Sequence, residues 1–567
     1  MRRRPSRIAA LLAAVTSGCG GEPSPPPRPP ADVGPAGFVD ATAASGVDFR
    51  HVNGASGEMY FVETNGSGCG VFDYDNDGDL DLCLVQGGAL PGQREPGPFT
   101  SRLYRNDGGL RFTDVTAAAG CGATVYGTGV LCGDHDGDGW RDLFFYGLGQ
   151  AQLFRNRGDG TFADVTAAAG LKDGRYAGTA LWADFDRDGD LDLFVGNYVK
   201  WSVALHRTCA LPPAEKSYCH PDVFEPEADI LWRNDGDGTF TDVTAQAGLV
   251  RRDGKALGSV ASDVDDDGDL DLFVANDSTP NFLWRNDGAP GELRFTDISD
   301  AAAIAYDRDG RTQGCMGCDF ADIDGDLDFD LVVTNLAMEA NALYVNQGGA
   351  RFDDQAAPRG VARSSRIDFG WGVRFLDFDH DGDDDLLTIN GHLHAGVRTY
   401  DASQEWAQAP KLLVNDGHGR FAAAGPEGGP LLQQKAVGRG LAVGDLDGDG
   451  DQDLLISTNA DVARVVERRG PIAGHFLRLT LRGRGKNHDA IGARVDVTAA
   501  GRTTRQEVRG AASFASWQEL TLHFGLAAAA RAEEVLVRWP EGMRERFGPL
   551  AAGRNHVLLQ GSGRPAE

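Results

Sequence analysis

Short apolar runs recur at regular intervals through most of the chain. Seven of them read LCLVQG, LFFYG, LFVGN, LFVAN, LVVTN, LLTIN and LLISTN, and each ends near Gly or Asn. Runs of this length, rich in β-branched and aromatic residues, are typical of buried strands rather than of helices. The pattern therefore predicts an all-β protein.

A second phrase alternates with these runs. It consists of an apolar pair, an Asn/Gly turn and a strand of the FTDVT type, and its copies begin at Leu103, Leu153, Leu231, Leu283, Leu343 and Leu412. Strand, Asn/Gly turn and strand predict a β-hairpin. Each repeat is thus expected to contain an inner and an outer hairpin, which together make a four-stranded unit.

An acidic loop of nine residues precedes each apolar run. Loops one to seven begin at Asp73, Asp134, Asp184, Asp263, Asp322, Asp377 and Asp445. Each has Asp at positions 1, 3, 5 and 9, and six have Gly at position 6. Alternate carboxylates on a tight turn converge on one hard cation, and Gly accommodates the positive φ of the bend. The spacing predicts one Ca²⁺ in each loop, up to seven in total.

The expected ligands are the side chains at positions 1, 3, 5 and 9 and the backbone carbonyl at position 7. They are Asp73, Asp75, Asp77, Asp79 and Asp81; Asp134, Asp136, Asp138, Trp140 and Asp142; Asp184, Asp186, Asp188, Asp190 and Asp192; Asp263, Asp265, Asp267, Asp269 and Asp271; Asp322, Asp324, Asp326, Asp328 and Asp330; Asp377, Asp379, Asp381, Asp383 and Asp385; and Asp445, Asp447, Asp449, Asp451 and Asp453.

These loops are not EF-hands, because position 12 carries no carboxylate and strands rather than helices flank them. Loop five departs from the others, since Leu327 stands at position 6. A left-handed turn costs a residue with a Cβ about 1–2 kcal/mol. We therefore expect loop five to bind Ca²⁺ most weakly.

The repeats also predict a closed ring. The loops recur about every 62 residues, which suits a propeller blade, whereas the repeats of a Ca²⁺-binding β-solenoid are far shorter. The last repeat lacks an outer strand, and a matching phrase begins at Phe38. We expect that N-terminal strand to complete the last unit, which gives a seven-bladed β-propeller over residues 37–472.

Charge and composition limit the partners. The formal net charge is −30, which would repel nucleic-acid phosphates and make metal binding and folding interdependent. No stretch of 18 apolar residues indicates a transmembrane helix.

The N-terminus has the features of an export signal. Residues 1–18 contain several Arg residues and a short apolar segment, and Cys19 follows in the position that bacterial lipoproteins acylate. Residues 19–36 are rich in Pro and Gly, which indicates a flexible tether. We expect export to the bacterial periplasm or cell surface, with the membrane reached only through a lipid anchor on Cys19.

The other eight cysteines suggest disulfides in an exported protein. Cys209 and Cys219 bracket a Pro-containing insertion and form the best pair. Cys315 and Cys318 are separated by two residues and could be a redox pair, although a structural role fits their place in a strand better.

Residues 473–562 contain no acidic loop and alternate as strands, which predicts a small β-sandwich. The spacing of His475, His488 and His523 predicts no common metal site. His392 and His394 could provide two ligands for Zn²⁺ or Cu²⁺, which alone make a weak site.

The DxDxDG loops with their LFVxN strands resemble FG-GAP/VCBS repeats, the units of integrin α propellers. The phrases NHDAIGARV from Asn487, LHFGL from Leu522 and VRWP from Val537 resemble an ASPIC/UnbV domain. A propeller followed by this domain is the arrangement of the cartilage acidic protein family. The resemblance implies an exported, Ca²⁺-binding and adhesive protein with no established catalytic mechanism.

Three functions remain open at this point. The favoured one is a non-catalytic protein that binds a protein or glycan at the cell surface through one rim. The second is a polysaccharide lyase or hydrolase, which would need Arg, Lys, His and Tyr side chains near His392, His394 and Tyr400. The third is a structural component of an outer-membrane assembly.

Overall fold

Strands dominate the structure, a computed structural model that describes residues 36–93, 97–212 and 214–566. Seven sheets in this described part share one plan of four antiparallel strands, with the acidic loop joining the first strand to the second. The all-β propeller prediction is confirmed. We refer to the sheets as blades one to seven.

The strands of blades one to four, from the innermost outwards, are Cys69–Phe72, Asp81–Leu84, Arg102–Asn106 and Phe112–Asp114; Tyr126–Gly133, Asp142–Leu148, Gln152–Asn156 and Phe162–Asp164; Ala177–Ala183, Asp192–Asn197, Ile230–Asn234 and Phe240–Asp242; Ala256–Ser262, Asp271–Asn276, Phe282–Asn286 and Phe295–Asp297. Those of blades five to seven are Cys318–Ala321, Asp330–Val333, Ala342–Asn346 and Phe352–Asp354; Gly370–Leu376, Asp385–Asn390, Lys411–Asn415 and Phe421–Ala423; Gly438–Gly444, Asp453–Thr458, Arg464–Arg469 and Gly37–Asp40.

The seven blades form a closed ring. Each innermost strand contacts the innermost strands of both neighbouring blades, including those of blades seven and one. The N-terminal strand Gly37–Asp40 pairs with Arg464–Arg469, as the repeated phrase at Phe38 predicts. Phe38 is buried and its ring lies 5.1 Å from that of Phe378 in blade six. Closure leaves no exposed edge between the first blade and the last.

Helices are short and lie in the connections between strands. The α-helices are Thr42–Ser45, Thr116–Ala119 and Val361–Ser365, and the 3₁₀ helices are Phe61–Thr64, Val203–Leu205, Pro221–Val223, Val397–Thr399, Pro426–Gly428 and Pro430–Gln433. In the described residues, no helix has the length and apolar character needed to span a membrane. The predicted signal, tether and Cys19 lie outside the described residues, apart from Ala36.

The cysteines behave differently from the expectation for an exported chain. Cys209 and Cys219 form a disulfide that joins a hairpin, Cys209–Leu211 with Ala214–Ser217, in the insertion of blade three. The other six cysteines in the described residues are buried and free: Cys69, Cys83, Cys121, Cys132, Cys315 and Cys318. The expectation of further disulfides is wrong, because these side chains fill apolar space in the blades. Cys315 and Cys318 are both buried as free thiols.

The C-terminal part folds as two main sheets. One contains His475–Arg482, Leu522–Ala527 and Asn555–Leu559; the other contains Arg494–Ala499, Arg502–Glu507, Glu534–Arg538, Arg544–Phe547 and Arg564–Pro565; and a small ladder pairs Arg531–Ala532 with Leu550–Ala551. Leu477, Val495 and Val537 are buried between the sheets. The β-sandwich prediction is therefore confirmed.

One hairpin of the C-terminal domain enters the central channel of the ring. Its strands Ala511–Ala512 and Ser516–Trp517 extend the sheet of blade one, where Trp517 pairs with Gly70. Ser513 forms a bridge with Cys318 in blade five, and its hydroxyl accepts a hydrogen bond from the backbone N–H of Val373 in blade six. We call residues 510–518 the channel hairpin.

Glycines that immediately precede the inner strands make room for this hairpin. A Cβ on Gly68 would lie 1.7 Å from the carbonyl oxygen of Ala515, and a Cβ on Gly317 would lie 3.2 Å from the nitrogen of Phe514. Trp517 and Phe514 are fully buried. The hairpin therefore packs as core, and the ring and the C-terminal domain share one hydrophobic cluster.

Candidate metal centres

The acidic loops share two left-handed backbone positions. Position 6 has a φ between 73° and 106° in all seven, including Leu327 at 73°. Position 4 is also left-handed throughout, as Asn76, Gly137, Arg187, Asp266, Gly325, His380 and Gly448. The sequence indicated the first of these from its glycines, but position 4 varies in residue type and gave no clear signal.

Two hydrogen bonds fold each loop onto itself. The carboxylate at position 1 accepts from the backbone N–H of position 6, as Asp184 does from Gly189 at 3.1 Å. The carboxylate at position 5 accepts from the N–H of position 7, as Asp188 does from Asp190 at 2.9 Å. Both bonds recur in all seven loops. Loop five keeps them in spite of Leu327.

The carboxylate at position 9 joins the loop to the outer hairpin of its blade. In blade one, Asp81 accepts from the N–H of Tyr74 at 2.9 Å and from that of Asn106 at 2.8 Å. The same two contacts occur in every blade. All seven position 9 side chains are buried. These residues therefore hold the blade together whether or not they also bind a cation.

Several carboxylate oxygens face inward without a hydrogen-bond partner. At position 1 they belong to Asp73 and Asp184, and at position 3 to Asp75, Asp136, Asp265, Asp324 and Asp379. A buried carboxylate oxygen left without a partner is costly, and an oxygen-binding cation removes that cost. The donor set is the one that Ca²⁺ prefers. The residues present therefore fit the predicted ion.

The converging atoms lie close enough for one ion. Within loops one to four, three carboxylate oxygens lie within 4.8 Å of one another. The groups are Asp73, Asp75 and Asp81; Asp134, Asp136 and Asp138; Asp184, Asp186 and Asp188; Asp263, Asp265 and Asp271. The structure thus brings together the predicted side-chain ligands of positions 1 and 3 with position 5 or position 9.

The side chains at position 7 have partners of a different kind, and the predicted role of the backbone carbonyl there stays a prediction. Four of these side chains contact Lys, Arg or His side chains outside the loop. Asp190 lies 2.9 Å from Lys486, Asp269 lies 3.5 Å from Arg187, Asp451 lies 3.7 Å from His380, and Asp383 contacts Arg502.

Burial and mutual repulsion disturb the titration of these carboxylates. Burial raises the pKa of Asp184 to about 8, and the neighbouring charges of Asp188 and Asp186 contribute to the increase. Burial likewise raises the pKa of Asp81 to about 8 and that of Asp134 to about 7. Without a cation, part of the cluster would therefore hold protons near neutral pH, and Ca²⁺ binding would release them.

Loop two contains a residue that the loop pattern did not predict. His135 occupies position 2, where the other loops have Tyr, Phe, Val, Ile, Phe and Leu. Its Nδ1 lies 2.5 Å from Asp142, and its ring faces Trp182 and Phe240. His135 therefore combines the packing of an aromatic residue with a contact to the carboxylate at position 9.

The C-terminal domain covers the face of the ring on which the acidic loops lie. Its basic side chains reach six of the seven loops in the described structure: His488 contacts Gly137, Lys486 contacts Asp190, Arg494 and Arg538 contact Asp263, Arg505 contacts Leu327, Arg502 contacts Asp383 and Arg478 contacts Asp445. In loop one, Arg141 donates to the carbonyl of Asp73 and pairs with Asp489 of the C-terminal domain. These contacts place positive charge on the acidic ring.

The histidines singled out by sequence lie on the opposite face. The rings of His392 and His394 are 5.9 Å apart, and Tyr400 and Tyr218 lie 6.0 Å and 5.2 Å from His394. Burial lowers the pKa of His392 to about 4. In the C-terminal domain, His523 lies 4.8 Å from His380 of loop six, and burial lowers the pKa of both.

Comparison with known proteins agrees with this architecture. A model of the FG-GAP-like repeat matches residues 73–145, 134–195, 263–333 and 322–388, and a model described as ASPIC and UnbV matches residues 483–565. The chain carries FG-GAP-like repeats and a C-terminal ASPIC and UnbV domain. The channel hairpin, which plugs the FG-GAP ring, belongs to this ASPIC and UnbV domain.

Cartilage acidic protein 1 from two species is similar to part of this chain. The Homo sapiens protein is 27% identical over 341 residues, or 59% of this chain and 48% of the relative. The Mus musculus protein is 27% identical over 347 residues, or 59% and 49%. This chain thus spans about half the length of these curated relatives.

Among solved structures, a lectin from Agrocybe aegerita that recognises non-reducing terminal N-acetylglucosamine aligns over 69% of this chain and 88% of its own. Its TM-score is 0.38 and its identity is 16%. A likeness at this level carries no argument about ligands.

Proposed function

We propose that this protein is a Ca²⁺-stabilised, non-catalytic binding protein. The observation that carries the first part is the set of buried, partnerless carboxylate oxygens at positions 1 and 3 of the loops. The side chains at positions 1, 3, 5 and 9 would hold the ion. Bound Ca²⁺ would neutralise the carboxylates and cross-link the residues of each loop that joins the two inner strands of a blade. Its role would therefore be structural rather than catalytic.

Asp184→Asn tests this assignment directly. Its Oδ1 is buried and unpaired, while its Oδ2 accepts from Gly189, so the amide can keep the turn and lose a charged ligand. Calcium titration calorimetry is expected to show one site lost or severely weakened, with the melting temperature in EDTA nearly unchanged. Asp237→Asn, in an exposed hairpin turn of the same blade, is the matched control. Equal effects of both variants would remove the ligand role of Asp184.

The surface that binds the partner is the face opposite the acidic loops, because the ASPIC and UnbV domain covers the loop face. Of the fourteen exposed large apolar side chains in the described structure, eleven lie on this opposite face. They are Val203, Leu205, Leu211, Val223, Val250, Tyr306, Met338, Ile367, Tyr400, Trp406 and Val462. Exposed apolar side chains gathered on one face are typical of protein-binding surfaces, which favours a protein over a glycan partner.

Leu205→Ser tests this surface, with Leu559→Ser of the C-terminal domain as the control, since the two leucines are 55% and 52% exposed. Immobilised panels of extracellular proteins and of glycans would be probed with each variant in Ca²⁺ and in EDTA. We expect binding to a protein that Leu205→Ser weakens and Leu559→Ser leaves intact. Binding to glycans alone, or equal loss in both variants, would overturn the assignment of this face.

Catalysis as a lyase or hydrolase is less well supported. The channel hairpin occupies the place where a propeller enzyme would gather catalytic groups. Burial lowers the pKa of both His392 and His394, which disfavours the protonated form that a general acid needs near neutral pH. Export and lipid anchoring on Cys19 remain part of the proposal. Cys19→Ala is expected to release the protein from the membrane fraction, and unchanged membrane association would rule out acylation there.

A further inference from the structure

An aromatic cavity of about 420 Å³ lies where the axis of the ring meets the face opposite the acidic loops. Aromatic rings line it, namely those of Phe61, Tyr198, Tyr218, Phe369 and Trp371. Phe61 stacks on Tyr198 at 5.4 Å, and Phe369 stacks on Trp371 at 5.6 Å. The volume and the predominance of apolar walls are those of a small-molecule site.

Two features fix the shape of the cavity, a hydrogen-bonded tryptophan at its base and a disulfide at its rim. Below it, Trp371 lies edge-on to Phe514 of the channel hairpin, with ring centres 4.8 Å apart, and its indole N–H donates to the carbonyl of Gly391. At its rim lies the disulfide Cys209–Cys219. Covalent closure of the rim hairpin and hydrogen bonding of Trp371 preserve the cavity without a ligand, which lowers the entropic cost of binding.

One end of the cavity presents an unused hydrogen-bond donor. Asn65 lines the cavity and is 3% exposed, and its Nδ2 has no hydrogen-bond partner within the described chain. Its Oδ1 lies 3.1 Å from the hydroxyl of Thr64, whose hydrogen is shared with the carbonyl of Phe61 at 2.8 Å. A buried amide N–H without an acceptor lowers the stability of the fold. An oxygen atom of a bound molecule would supply the missing acceptor.

Positive charge lies behind the same end. Arg439 is fully buried, and its guanidinium lies 4.0 Å from the ring centre of Trp371. Its hydrogen bonds go to the backbone carbonyls of Thr64, Gly391 and Gly438 rather than to a carboxylate. Asp277 also lines the cavity, but the hydroxyls of Tyr198 and Ser278 donate to its carboxylate oxygens. The field of Arg439 favours a negatively charged acceptor beside Asn65, against the opposing carboxylates of Asp277 and of Glu63, which accepts from the hydroxyl of Tyr218.

We propose that this cavity binds a small aromatic compound that carries an acidic oxygen group, such as a carboxylate or sulfonate. Its rings would pack against the aromatic walls, and its oxygen would accept a hydrogen bond from Nδ2 of Asn65. This site is separate from the acidic loops. It opens on the face proposed above for the protein partner, where Leu211 and Val223 belong to both, but the assigned ligand class does not depend on that role.

Two fluorescent probes with the same rings test the proposal on the full chain in Ca²⁺. Anilinonaphthalene sulfonate carries the acidic group, and phenylnaphthylamine lacks it. We expect each to bind one site per chain, with the sulfonate binding at least about tenfold more tightly because it gains a charge-assisted hydrogen bond. A sulfonate affinity no greater than that of phenylnaphthylamine would overturn the assigned ligand class.

Ala210→Trp locates the site. Ala210 lines the cavity from the exposed side of the rim hairpin, so a larger side chain there blocks the mouth without entering the core. We expect both probes to lose at least about tenfold in affinity, whereas Ala422→Trp on the exposed outer strand of blade six should leave both unchanged. Equal effects of the two substitutions would place the probes elsewhere and overturn the proposal.

Asn65→Leu separates the donor from the shape of the cavity, because the two side chains are similar in size. We expect the sulfonate to lose about tenfold in affinity and phenylnaphthylamine to change by less than about twofold. Equal losses for the two probes would overturn the donor role of Asn65. If Asn65→Leu fails to fold, the probe comparison and Ala210→Trp decide the question without it.

Discussion

Nδ2 of Asn346 donates a hydrogen bond of 2.9 Å to the backbone carbonyl of Val264, the second residue of the acidic loop in the preceding blade. Five other blades repeat this contact, through Asn106 to Leu446, Asn156 to Tyr74, Asn234 to His135, Asn286 to Phe185 and Asn415 to Ile323. In blade seven the corresponding residue is Arg468, whose guanidinium lies 4.3 Å above Phe378, the second residue of loop six. The acidic loops are therefore linked around the whole ring.

Asn346→Ala should destabilise the ring at one junction. The side chain is buried, and its Oδ1 accepts from Gly348, so the substitution leaves both the Val264 carbonyl and the Gly348 N–H unpaired. We expect a loss of about 1–3 kcal/mol in the free energy of unfolding, measured by denaturant titration in Ca²⁺. Gln433→Ala, at an exposed site, is the control and should change little. An unchanged free energy of unfolding in Asn346→Ala would show that the junction does not depend on this hydrogen bond.

Leu327→Gly should strengthen calcium binding at loop five. Leu327 has a φ of 73°, and a residue with a Cβ is destabilised by about 1–2 kcal/mol in this left-handed conformation. We expect the calcium-free loop to relax out of it, so that part of the binding free energy is spent on restoring the strained turn. The affinity of the weakest site in a calcium titration should rise by about fivefold to thirtyfold.

Gly78→Ala makes the opposite change in loop one. The added Cβ would meet no atom within 4 Å, and φ is 97°, so the effect reports backbone strain alone. We expect one site to weaken. Unchanged affinities in both variants would mean that position 6 does not govern binding.

Calcium removal should make stability fall as the pH rises. In the folded, calcium-free chain the pKa values of Asp184 and Asp81 are raised to about 8, above the unfolded value of about 3.9. The folded state therefore binds more protons than the unfolded state does. The stability that proton binding contributes is fully present below about pH 4 and is lost as the pH rises through about 8. In EDTA the melting temperature should fall between about pH 5 and about pH 8.

Excess Ca²⁺ should reverse the trend over the same range. The ion competes with the protons, so its affinity rises with pH and the loaded protein melts at a lower temperature in acid. A melting temperature in EDTA that rises towards about pH 8 would contradict the assigned direction of these pKa shifts.

Gly68→Ala tests whether the channel hairpin stabilises the ring. The new Cβ would lie 1.7 Å from the carbonyl oxygen of Ala515, so the hairpin or the inner strand of blade one must move. We expect a loss of about 1–3 kcal/mol in stability. Gly174→Ala adds the same methyl group where no atom lies within 4 Å and should be nearly neutral. Equal effects would show that the hairpin is loosely held.

The sequence predicted those features that repeat locally. Seven acidic loops and the strands after them indicate the blades, and Phe38 marks the strand that closes the ring. The Asn of each outer hairpin was also visible, but only as part of a turn. Its partner lies far away along the chain, 82 residues in the case of Asn346 and Val264, so nothing local reveals the bond.

The channel hairpin was beyond prediction for a similar reason. Ala511 to Trp517 is too short for a strand pattern, and Ser516 meets Cys69 across 447 residues of sequence. Likewise, the even number of cysteines suggested disulfides, yet Cys69 and Cys132 are packed among apolar side chains as free thiols. Residue counts do not show which side chains the fold brings together.

The most direct test of the account is the metal content of the purified protein by mass spectrometry, combined with thermal melts in Ca²⁺ and in EDTA. We expect about seven Ca²⁺ per chain, one for each loop, and a large loss of stability in EDTA. A protein that contains no Ca²⁺, or one that melts at the same temperature in EDTA, would contradict it and would leave the acidic loops as turns only.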